Sequence, residues 1–371
     1  MAKTGKIKVG VVFGGRSGEH EVSLVSAQSI MKALDPKKFD VVPIGISKKG
    51  KWLVGAEPQN LLTGSAETPQ LEMKGQSGVL GDPTHKGMIL LDSSKSLDRV
   101  KLDVIFPIVH GTYGEDGTLQ GMLEIADIPY VGCGVLASSL GMDKTSQKRV
   151  FRDAGLPVTQ FKEIIRRDWR ANPEKILSEI ESEFSYPCFI KPVNSGSSVG
   201  ISKAHDRNEL IQSCNLAARY DRKILVEGFV DGRELEVSVL GNDEPIASVP
   251  GEVVPCNEFY DYTAKYIDER SKLHIPAEIS PEKISEIREM AVKAFKSLDC
   301  AGMARVDFFM EKATGKLVLN EINTIPGFTS VSMYPKLWEA SGISYSELVT
   351  KLVELAFERF SDKQESLTAV A

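Results

Sequence analysis

Two apolar runs joined by a short polar segment most constrain what this chain can fold into. Residues 304–310 read ARVDFFM, residues 317–323 read LVLNEIN, and the polar segment between them contains Gly315. Apolar runs of this length on either side of a glycine-containing turn predict a β-hairpin. The many apolar side chains predict that at least one face of the hairpin is covered, so carboxylates inside it need partners.

Four polar side chains interrupt the two predicted strands at matching places. Arg305 and Asp307 share one face of the first strand, and Glu321 and Asn323 share one face of the second, because each pair is spaced i, i+2. A three-residue loop over residues 313–315 would set Asp307 opposite Glu321 and Arg305 opposite Asn323, and a one-residue slip would break this pairing. Mg²⁺ is commonly held by one or two carboxylates together with substrate phosphates. The pattern therefore indicates either a metal site or a hairpin with a charged, solvated outer face.

Composition and charge exclude several classes of protein. The chain has 371 residues, a net charge of −6, 26% charged residues and no block of basic residues, so nucleic acid is not an expected partner. This length predicts two or three domains. No apolar run approaches the roughly 18 residues of a membrane span, and no signal-peptide cleavage site follows the N-terminus, so a membrane is not expected either.

The cysteines predict reduced thiols in a cytoplasm. All five lie far apart and their number is odd, which fits neither a disulfide framework nor a zinc site. They are Cys133, Cys188, Cys214, Cys256 and Cys300.

The N-terminal part predicts a doubly wound α/β unit. An apolar strand over residues 7–13 is followed by the glycine-rich turn 14–18 and by a helix over residues 20–34, which is how such units begin. The turn does not match GxGxxG, so a dinucleotide fingerprint is not supported. Glu19 lies at the helix start, where it either complements the helix dipole or binds a substrate.

A second buried strand, residues 103–109, runs into the glycine-rich loop HGTYGEDG. Open α/β sheets bind ligands at the carboxyl ends of their strands. His110 at this end is either a hydrogen-bonded structural histidine or a catalyst. Residues 48–101 contain fragments that look like short strands and form a long excursion without evident chemistry. Residues 132–141 are small and predict a connection at the first domain boundary.

Two lysines and a glycine–serine loop predict a phosphate site. Lys144 follows the capping residue Asp143 and lies in the first turn of a helix. A cation there interacts unfavourably with the helix dipole, so we infer that Lys144 pairs with an anion instead. Lys191 ends a strand that enters the loop PVNSGSSVG, whose small residues let backbone N–H groups close around phosphate oxygens. The loop lacks Gly-Lys-Ser/Thr and is no Walker loop. A flexible hairpin loop is the alternative.

The segments after this loop predict a hinge, a purine-sized pocket and a lid. Residues 228–232 form the hinge, and the alternating strand that follows places Glu234 and Glu236 on one face. These two carboxylates are either solvated or part of a binding site, in which the linker, with a carboxylate on each side of it, holds a purine amino group and a ribose. Residues 257–272 are polar, aromatic and aperiodic, and too long for a tight turn, so they predict a mobile lid.

Together these motifs resemble the ATP-grasp superfamily and, within it, the D-alanine–D-alanine ligases. The resemblance covers nearly the whole chain and is carried by GGRSGEHEVSL, HGTYGEDGTLQGMLE, GMDK, IKPVNSGSSVG, FYDYTAKY, ARVDFF and LNEINTIPGFTSVS. It implies a three-domain α/β fold. Residues 1–137 would form an N-terminal doubly wound parallel-sheet domain for substrate. Residues 138–229 and 230–366 would form two α+β layers that clamp ATP, the second carrying the lid and the metal site.

The resemblance also implies a reaction. Two D-alanines would be joined to D-alanyl-D-alanine through D-alanyl phosphate, with ATP as the second substrate and two Mg²⁺ or Mn²⁺ ions as cofactors, for peptidoglycan synthesis. A cytoplasmic homodimer is expected. The closest alternative keeps the fold and takes D-lactate or D-serine as second substrate, but Tyr266 favours D-alanine because the resembling depsipeptide ligases replace that tyrosine. A nucleotide-binding module without catalysis would lack a metal or oxyanion group, and all of these groups are present.

Residue roles are carried over from the family position by position. The residues implied to bind ATP are Lys144, Lys191, Ser197, Ser198, Glu227, Gly228, Phe229, Val230, Glu234, Lys265 and Asn320. Among them Glu227 and the backbone of Gly228 and Val230 would recognise the adenine. Glu234 would bind the ribose hydroxyls, and Lys265 would close onto the γ-phosphate. The implied metal ligands are Asp307, Glu321 and Asn323.

The remaining implied roles concern the two D-alanines. Glu19 would take the ammonium of the first, tied through Ser197 to Tyr266 on the lid, with His110 nearby. Ser332 and the amide of Met333 would receive the carboxylate of the second. Arg305 and the amide of Gly327 would form the oxyanion hole.

Overall fold

The computed structural model describes residues 5–54, 76–79, 87–91, 98–196, 199–254 and 272–366. The strands are β1 (Ile7–Gly14), β2 (Phe39–Ile46), β3 (Trp52–Val54), β4 (Gln76–Val79), β5 (Gly87–Leu91), β6 (Asp98–Lys101), β7 (Val104–Ile108), β8 (Phe161–Ile165), β9 (Cys188–Pro192), β10 (Ser202–Ala204), β11 (Lys223–Gly228), β12 (Gly232–Gly241), β13 (Ile246–Ala247), β14 (Gly251–Val254), β15 (Lys272–His274), β16 (Gly302–Glu311) and β17 (Leu317–Asn323). The helices are α1 (His20–Ala33), α2 (Thr118–Ile125), α3 (Val135–Met142), α4 (Lys144–Asp153), α5 (Arg166–Ala171), α6 (Pro173–Glu183), α7 (Arg207–Tyr220), α8 (Pro281–Ser297), α9 (Met333–Ala340) and α10 (Tyr345–Gln364). Among these described helices, none has the length and apolarity needed to cross a bilayer.

The first sheet has the order β3-β2-β1-β7. Strand β1 is parallel to β2 and to β7, and β3 adds an antiparallel edge. Residues 9–14 of β1 are all buried, as expected for a central parallel strand covered on both faces. The predicted parallel α/β unit is thereby confirmed. The predicted excursion contains β3 to β6, of which β4, β5 and β6 form a separate antiparallel sheet.

Two further sheets, both antiparallel, lie in the rest of the described chain. The second sheet has the order β10-β9-β11-β8, and α6 and α7 bury their apolar sides against it. The third has the order β15-β14-β12-β16-β17, with β13 paired to β12. Alternation along β12 buries Leu235, Val237 and Val239 against α8 residues such as Ile287 and Phe295. The opposite face of β12 is left to carry Glu234 and Glu236.

The prediction of a plain small-residue connection over residues 132–141 is wrong. Val135–Met142 is helix α3, and its small residues Ala137, Ser138 and Gly141 are buried. A Cβ added to Gly141 would lie 2.8 Å from Cγ2 of Thr324, so the small side chains reflect close packing of the helix beneath the end of β17. Composition alone does not distinguish close packing from flexibility.

The hairpin β16–β17 has the predicted pairing but reaches it by a different route. Asp307 lies opposite Glu321 and Arg305 opposite Asn323, as expected. The loop is longer than three residues, because the amide of Glu311 donates to the carbonyl of Lys316. An irregularity follows Asp307, so that Phe308 pairs with Leu319 and Asn320 is the extra residue of a β-bulge. The bulge restores the register that the loop would otherwise have displaced.

Candidate active site

Two adjoining cavities lie between the sheets. The larger, about 430 Å³, is enclosed by the second and third sheets. The smaller, about 110 Å³, lies where the N-terminal part meets the loop after β17. Glu236 and Glu321 line both cavities. The carboxylate-bearing face of the third sheet therefore lies at the boundary where the two cavities meet.

The back wall of the larger cavity is built around Glu227 near the end of β11, which is 2% exposed. Its Oε1 lies 2.6 Å from Nζ of Lys148 and accepts a 2.7 Å hydrogen bond from Oγ1 of Thr159. Its Oε2 pairs with Nζ of Lys191. Burial alone would raise the pKa of Glu227, but Lys148 and Lys191 lower it well below its usual range. The carboxylate is therefore ionised and acts only as an acceptor.

The rim of the larger cavity suits a planar ring. Phe229 is 42% exposed, and its ring centroid lies 6.3 Å from that of Phe189. Nζ of Lys203 lies 4.3 Å from the Phe229 centroid. Gly228, Val230 and the nearby Glu234 also line the cavity. Aromatic surface beside backbone polar groups is typical of pockets that bind flat ligands.

Arg305 forms ion pairs with two carboxylates of the third sheet. Its Nε and Nη2 donate to Oδ1 and Oδ2 of Asp307 at 2.7 and 2.6 Å, and its Nε lies 3.0 Å from Oε2 of Glu236. Nδ2 of Asn323 donates to Oδ2 of Asp307 at 3.0 Å. Burial alone would lower the pKa of Arg305, but Asp307 and Glu236 raise it well above its ordinary value. The guanidinium is thus a fixed positive charge facing the smaller cavity.

The predicted metal ligands meet at the junction of the two cavities. Asp307 and Glu321 are cross-strand partners, with Asn323 beside Asp307. Within the described part of the chain, no three His, Cys, Asp or Glu side chains are grouped to hold a metal ion. Two carboxylates and an amide oxygen nevertheless fit a hard cation that takes its remaining oxygens from phosphate and water.

Lys144 reaches the same junction from α4. Nζ of Lys144 lies 3.4 Å from Oε2 of Glu321 and donates to the carbonyl of Ser195 at 2.9 Å. That Lys144 binds an anion of the substrate stays a prediction, and in this structure its ion-pair partner is Glu321. Lys144 therefore fastens the glycine–serine loop to the third sheet.

The glycine–serine loop lies against Glu19. A Cβ added to Gly196 would lie 2.1 Å from Oε2 of Glu19, so only glycine permits this approach. Glu19 is 8% exposed and lines the smaller cavity. The predicted site residues Ser197, Ser198, Lys265 and Tyr266 lie outside the described residues.

His110 is a hydrogen-bonded link between the N-terminal part and the loop after β17. Its Nδ1 is 3.0 Å from the carbonyl oxygen of Ile325, and its Nε2 is 3.2 Å from Oγ of Ser26. Burial lowers its pKa, an effect that Glu19 and the Ile325 carbonyl only partly oppose. The imidazole is therefore neutral and lines the smaller cavity, which supports its structural interpretation.

Glu115, which was not predicted as a site residue, is half-buried near His110. It accepts backbone hydrogen bonds from Gly111 at 2.6 Å and from Ile325 at 3.0 Å. Burial and the nearby charge of Glu19 raise the pKa of Glu115 to about 8. The position of Glu115 in the glycine-rich loop HGTYGEDG was the sequence feature that could have indicated it as a site residue.

The far end of the smaller cavity is formed by Gly327, Ser332 and Met333. Oγ of Ser332 lies 2.8 Å from Oγ1 of Thr329 and accepts from the amide of Thr329 at 3.0 Å. Met333 is the first residue of α9. The N-terminus of a helix presents amides and a positive dipole end, which suit a carboxylate.

Lys148 and Thr159 are site residues that the sequence analysis also missed. Lys148 follows Lys144 by four residues on α4, so both lie on one helix face together with Phe151. That a lysine shares a face with a buried phenylalanine was the only local signal. Two of its three partners, Glu227 and Asn320, are far away in sequence.

Comparison with known proteins agrees with this geometry. A family model described as D-ala D-ala ligase N-terminus matches residues 8–133, and one described as D-ala D-ala ligase C-terminus matches residues 150–354. A D-alanine–D-alanine ligase from Acetivibrio thermocellus is 52% identical over 96% of this chain and 97% of that protein.

Solved structures share the whole fold. The VanG D-Ala:D-Ser ligase from Enterococcus faecalis aligns with 95% of this chain and 100% of its own, with a TM-score of 0.83 and 38% identity. The D-alanine–D-alanine ligase from Coxiella burnetii aligns with 97% of this chain and 96% of its own, with a TM-score of 0.82 and 35% identity.

The raised pKa of Glu115 predicts a pH-dependent loss of stability. The folded state holds the proton up to about pH 8, whereas an unfolded glutamate releases it near pH 4.3, so stability falls as the pH rises between these values. In Glu115→Gln this slope should disappear. Relative to the variant, the wild-type Tm should fall between pH 5 and 8 by more than the roughly 2–4 °C that 1 kcal/mol produces in a domain of 150–250 residues.

The measurement is Tm against pH by differential scanning fluorimetry. Glu339→Gln, at an exposed position of α9, is the matched control and should keep the wild-type slope. A constant offset between wild type and Glu115→Gln reports the changed hydrogen bonds only. Parallel curves for these two proteins would show that Glu115 does not titrate in this range.

Proposed function

The chain belongs to the D-alanine–D-alanine ligase family, and from this premise we propose how the residues of the two cavities divide the reaction. The protein is an ADP-forming ligase of the ATP-grasp fold that joins two D-alanines at the expense of ATP. The observation that carries the assignment of residues is that Glu236 and Glu321 line both cavities. A nucleotide in the larger cavity and an amino acid in the smaller one would meet at the carboxylate hairpin.

ATP occupies the larger cavity in this proposal. Glu227 accepts a hydrogen bond from the adenine amino group, Phe229 lies beside the ring, and Glu234 takes the ribose hydroxyls. Lys144 and Lys191 offer positive charge to the phosphates, so Lys191 turns from Glu227 towards them. Support comes from the shared cavity lining and from the ionised state of Glu227.

The first D-alanine binds in the smaller cavity with its ammonium on Glu19. A carboxylate is a poor acyl donor, so its oxygen attacks the γ-phosphorus, the bond to ADP breaks, and D-alanyl phosphate forms. This step brings negative charges together, and fixed positive groups in a water-poor site offset their repulsion. We propose that Lys265 and Tyr266 close over this intermediate and exclude water.

Divalent cations are held by Asp307, Glu321 and Asn323 in this proposal. Bound there with ATP, they would neutralise phosphate oxygens and help to orient them. The chemistry of the donor set supports the assignment, since hard cations prefer oxygen ligands.

The second D-alanine places its carboxylate on Ser332 and on the amide of Met333. Its free amine attacks the acyl carbon, a C–N bond forms, and phosphate leaves as the tetrahedral intermediate collapses. Arg305 and the amide of Gly327 face the oxygen on which negative charge develops. The ion pairs of Arg305 with Asp307 and Glu236 support this role because they hold the guanidinium in place.

The residue ranges 1–137, 138–229 and 230–366 are proposed as domains because each contains one main sheet. We propose that the protein acts as a cytoplasmic homodimer. The four described cysteines, Cys133, Cys188, Cys214 and Cys300, are free thiols, which is compatible with a reducing compartment. Light scattering tests the dimer and limited proteolysis tests the domain boundaries.

The substrate assignment predicts a product pattern. With Mg-ATP and D-alanine we expect one phosphate per D-alanyl-D-alanine, and with L-alanine we expect none. The product is identified by mass. A mixed product with D-serine or D-lactate, when these are offered with D-alanine, would favour the alternative second substrate. Absence of phosphate release with all amino acids would contradict the ligase assignment.

The oxyanion assignment predicts that Arg305→Met lowers kcat by about 10²–10³-fold, the cost of losing one oxyanion donor. Binding of ADP, measured by calorimetry, should change little. Arg305→Lys is the matched control, because it keeps the charge beside Asp307 and Glu236 but loses the forked geometry. It should recover part of the rate. Full activity in Arg305→Met would remove Arg305 from the oxyanion hole.

The metal assignment predicts that Glu321→Gln weakens Mn²⁺ binding by tenfold or more, since even outer-shell substitutions cost about 10–100-fold. The readout is electron paramagnetic resonance of Mn²⁺ titrated into the protein with a non-hydrolysable ATP analogue. Asp231→Asn removes a carboxylate that lines the larger cavity with 65% of its side chain exposed, and should leave the affinity unchanged. Equal affinities in Glu321→Gln and wild type would contradict the site.

A further inference from the structure

Lys148 is a fully buried lysine for which the mechanism above has no use. It is 1% exposed and lies one helical turn after Lys144 on α4. Unlike Thr159, Glu227 and Asn320, it does not line the larger cavity. It therefore approaches the nucleotide site from behind the wall.

The ammonium of Lys148 has three donors, and the structure supplies three acceptors. Nζ lies 2.6 Å from Oε1 of Glu227, 3.0 Å from Oγ1 of Thr159 and 2.8 Å from the carbonyl oxygen of Asn320. Because Thr159 also donates to Oε1 of Glu227 at 2.7 Å, that oxygen is held by two donors. A carboxylate whose oxygen is held by two donors has little freedom to rotate about its side-chain bonds.

We propose that Lys148 is a positioning residue that sets the nucleobase specificity of the site, holding one oxygen of Glu227 from behind so that the other accepts from a 6-amino purine. This inference rests on the proposed role of Glu227 in reading adenine. It adds a specificity determinant that does not itself touch the nucleotide.

The chemistry of the purine edge explains the consequence. An ionised carboxylate accepts hydrogen bonds only, so it pairs with the 6-amino group of adenine and repels the 6-oxo group of hypoxanthine. A protonated or rotated carboxyl group can donate and loses this discrimination. When Lys191 turns to the phosphates, Lys148 remains as the cation behind Glu227 that favours the ionised form.

The bulge in β17 takes part in the arrangement. Asn320 is the extra residue of the bulge, and its carbonyl accepts a hydrogen bond from Lys148. Lys148 thereby joins α4, Glu227 on the second sheet and Asn320 on the third. A lysine that only linked the second and third sheets would make the same contacts. The experiment therefore has to distinguish this structural role from a role in nucleobase specificity.

The experiment measures kcat/KM for ATP and for inosine triphosphate, which differs from ATP in the 6-oxo group. In Lys148→Met we expect the ATP-to-ITP ratio to fall at least about tenfold, mainly through a higher KM for ATP, with the KM for D-alanine unchanged. The ratio should fall further as the pH is lowered, because Glu227 then protonates more readily. A structural tie would lower kcat/KM for both nucleotides alike, and an unchanged ratio overturns the proposal.

Two further variants keep the result interpretable. Lys162→Met removes a lysine of β8 that pairs with Glu183 and Glu179 away from the cavity, and its ratio should equal that of wild type. Thr159→Val removes the second donor to Glu227 without leaving a buried charge unpaired. It should lower the ratio to a smaller extent. If Lys148→Met does not fold, an unchanged ratio in Thr159→Val overturns the proposal.

Glu227→Gln separates this inference from the proposed function. If Glu227→Gln keeps the wild-type ATP-to-ITP ratio, Glu227 does not read adenine, and both assignments are wrong. If Glu227→Gln changes the ratio but Lys148→Met does not, the adenine assignment stands and only the role of Lys148 is overturned.

Discussion

The register of the β16–β17 hairpin is the constraint on which the rest of the site depends. One extra residue, Asn320, shifts the pairing so that Asp307 meets Glu321 and Arg305 meets Asn323. Without the bulge the side chains of one strand would move to the opposite face, because the side-chain period of a strand is two. The carbonyl of the same residue, Asn320, accepts a hydrogen bond from Lys148, so the bulge contributes to the wall of the larger cavity as well as to the carboxylate junction.

The junction is stable in this structure because the protein supplies a cation for each of its carboxylates. Arg305 pairs with Asp307 and Glu236, and Lys144 pairs with Glu321. Buried charges are tolerated only when they are paired and hydrogen-bonded, and removal of one partner is strongly destabilising. Substrate phosphates and their cations would exchange partners with these groups, so binding rearranges charge that is already balanced.

Local pattern predicted much of this site, and distance along the chain explains what it missed. Alternation placed Glu234 and Glu236 on one face of β12, and the i, i+2 spacing placed the hairpin residues, because both signals lie within a few positions. The bulge has no such signature, and the loop-based register was correct for the wrong reason. Lys148 meets Asn320 across 172 positions, and Glu115 meets Ile325 across 210. Small residues were read as a connection where they mark the close packing of α3.

The two proposed amino-acid subsites come from opposite ends of the chain, and a shared core fixes their separation. Glu19 immediately precedes α1 and Ser332 immediately precedes α9, yet residues of both helices belong to one apolar cluster that also contains Phe328. The amide of Phe328 donates to Oγ of Ser26 on α1 at 3.2 Å. Holding two reactants in a fixed geometry replaces an encounter in solution by an effectively unimolecular step. If the proposed subsites hold the two amino acids, the contacts around Phe328 act on the second step of the reaction, although Phe328 itself lines neither of the two cavities.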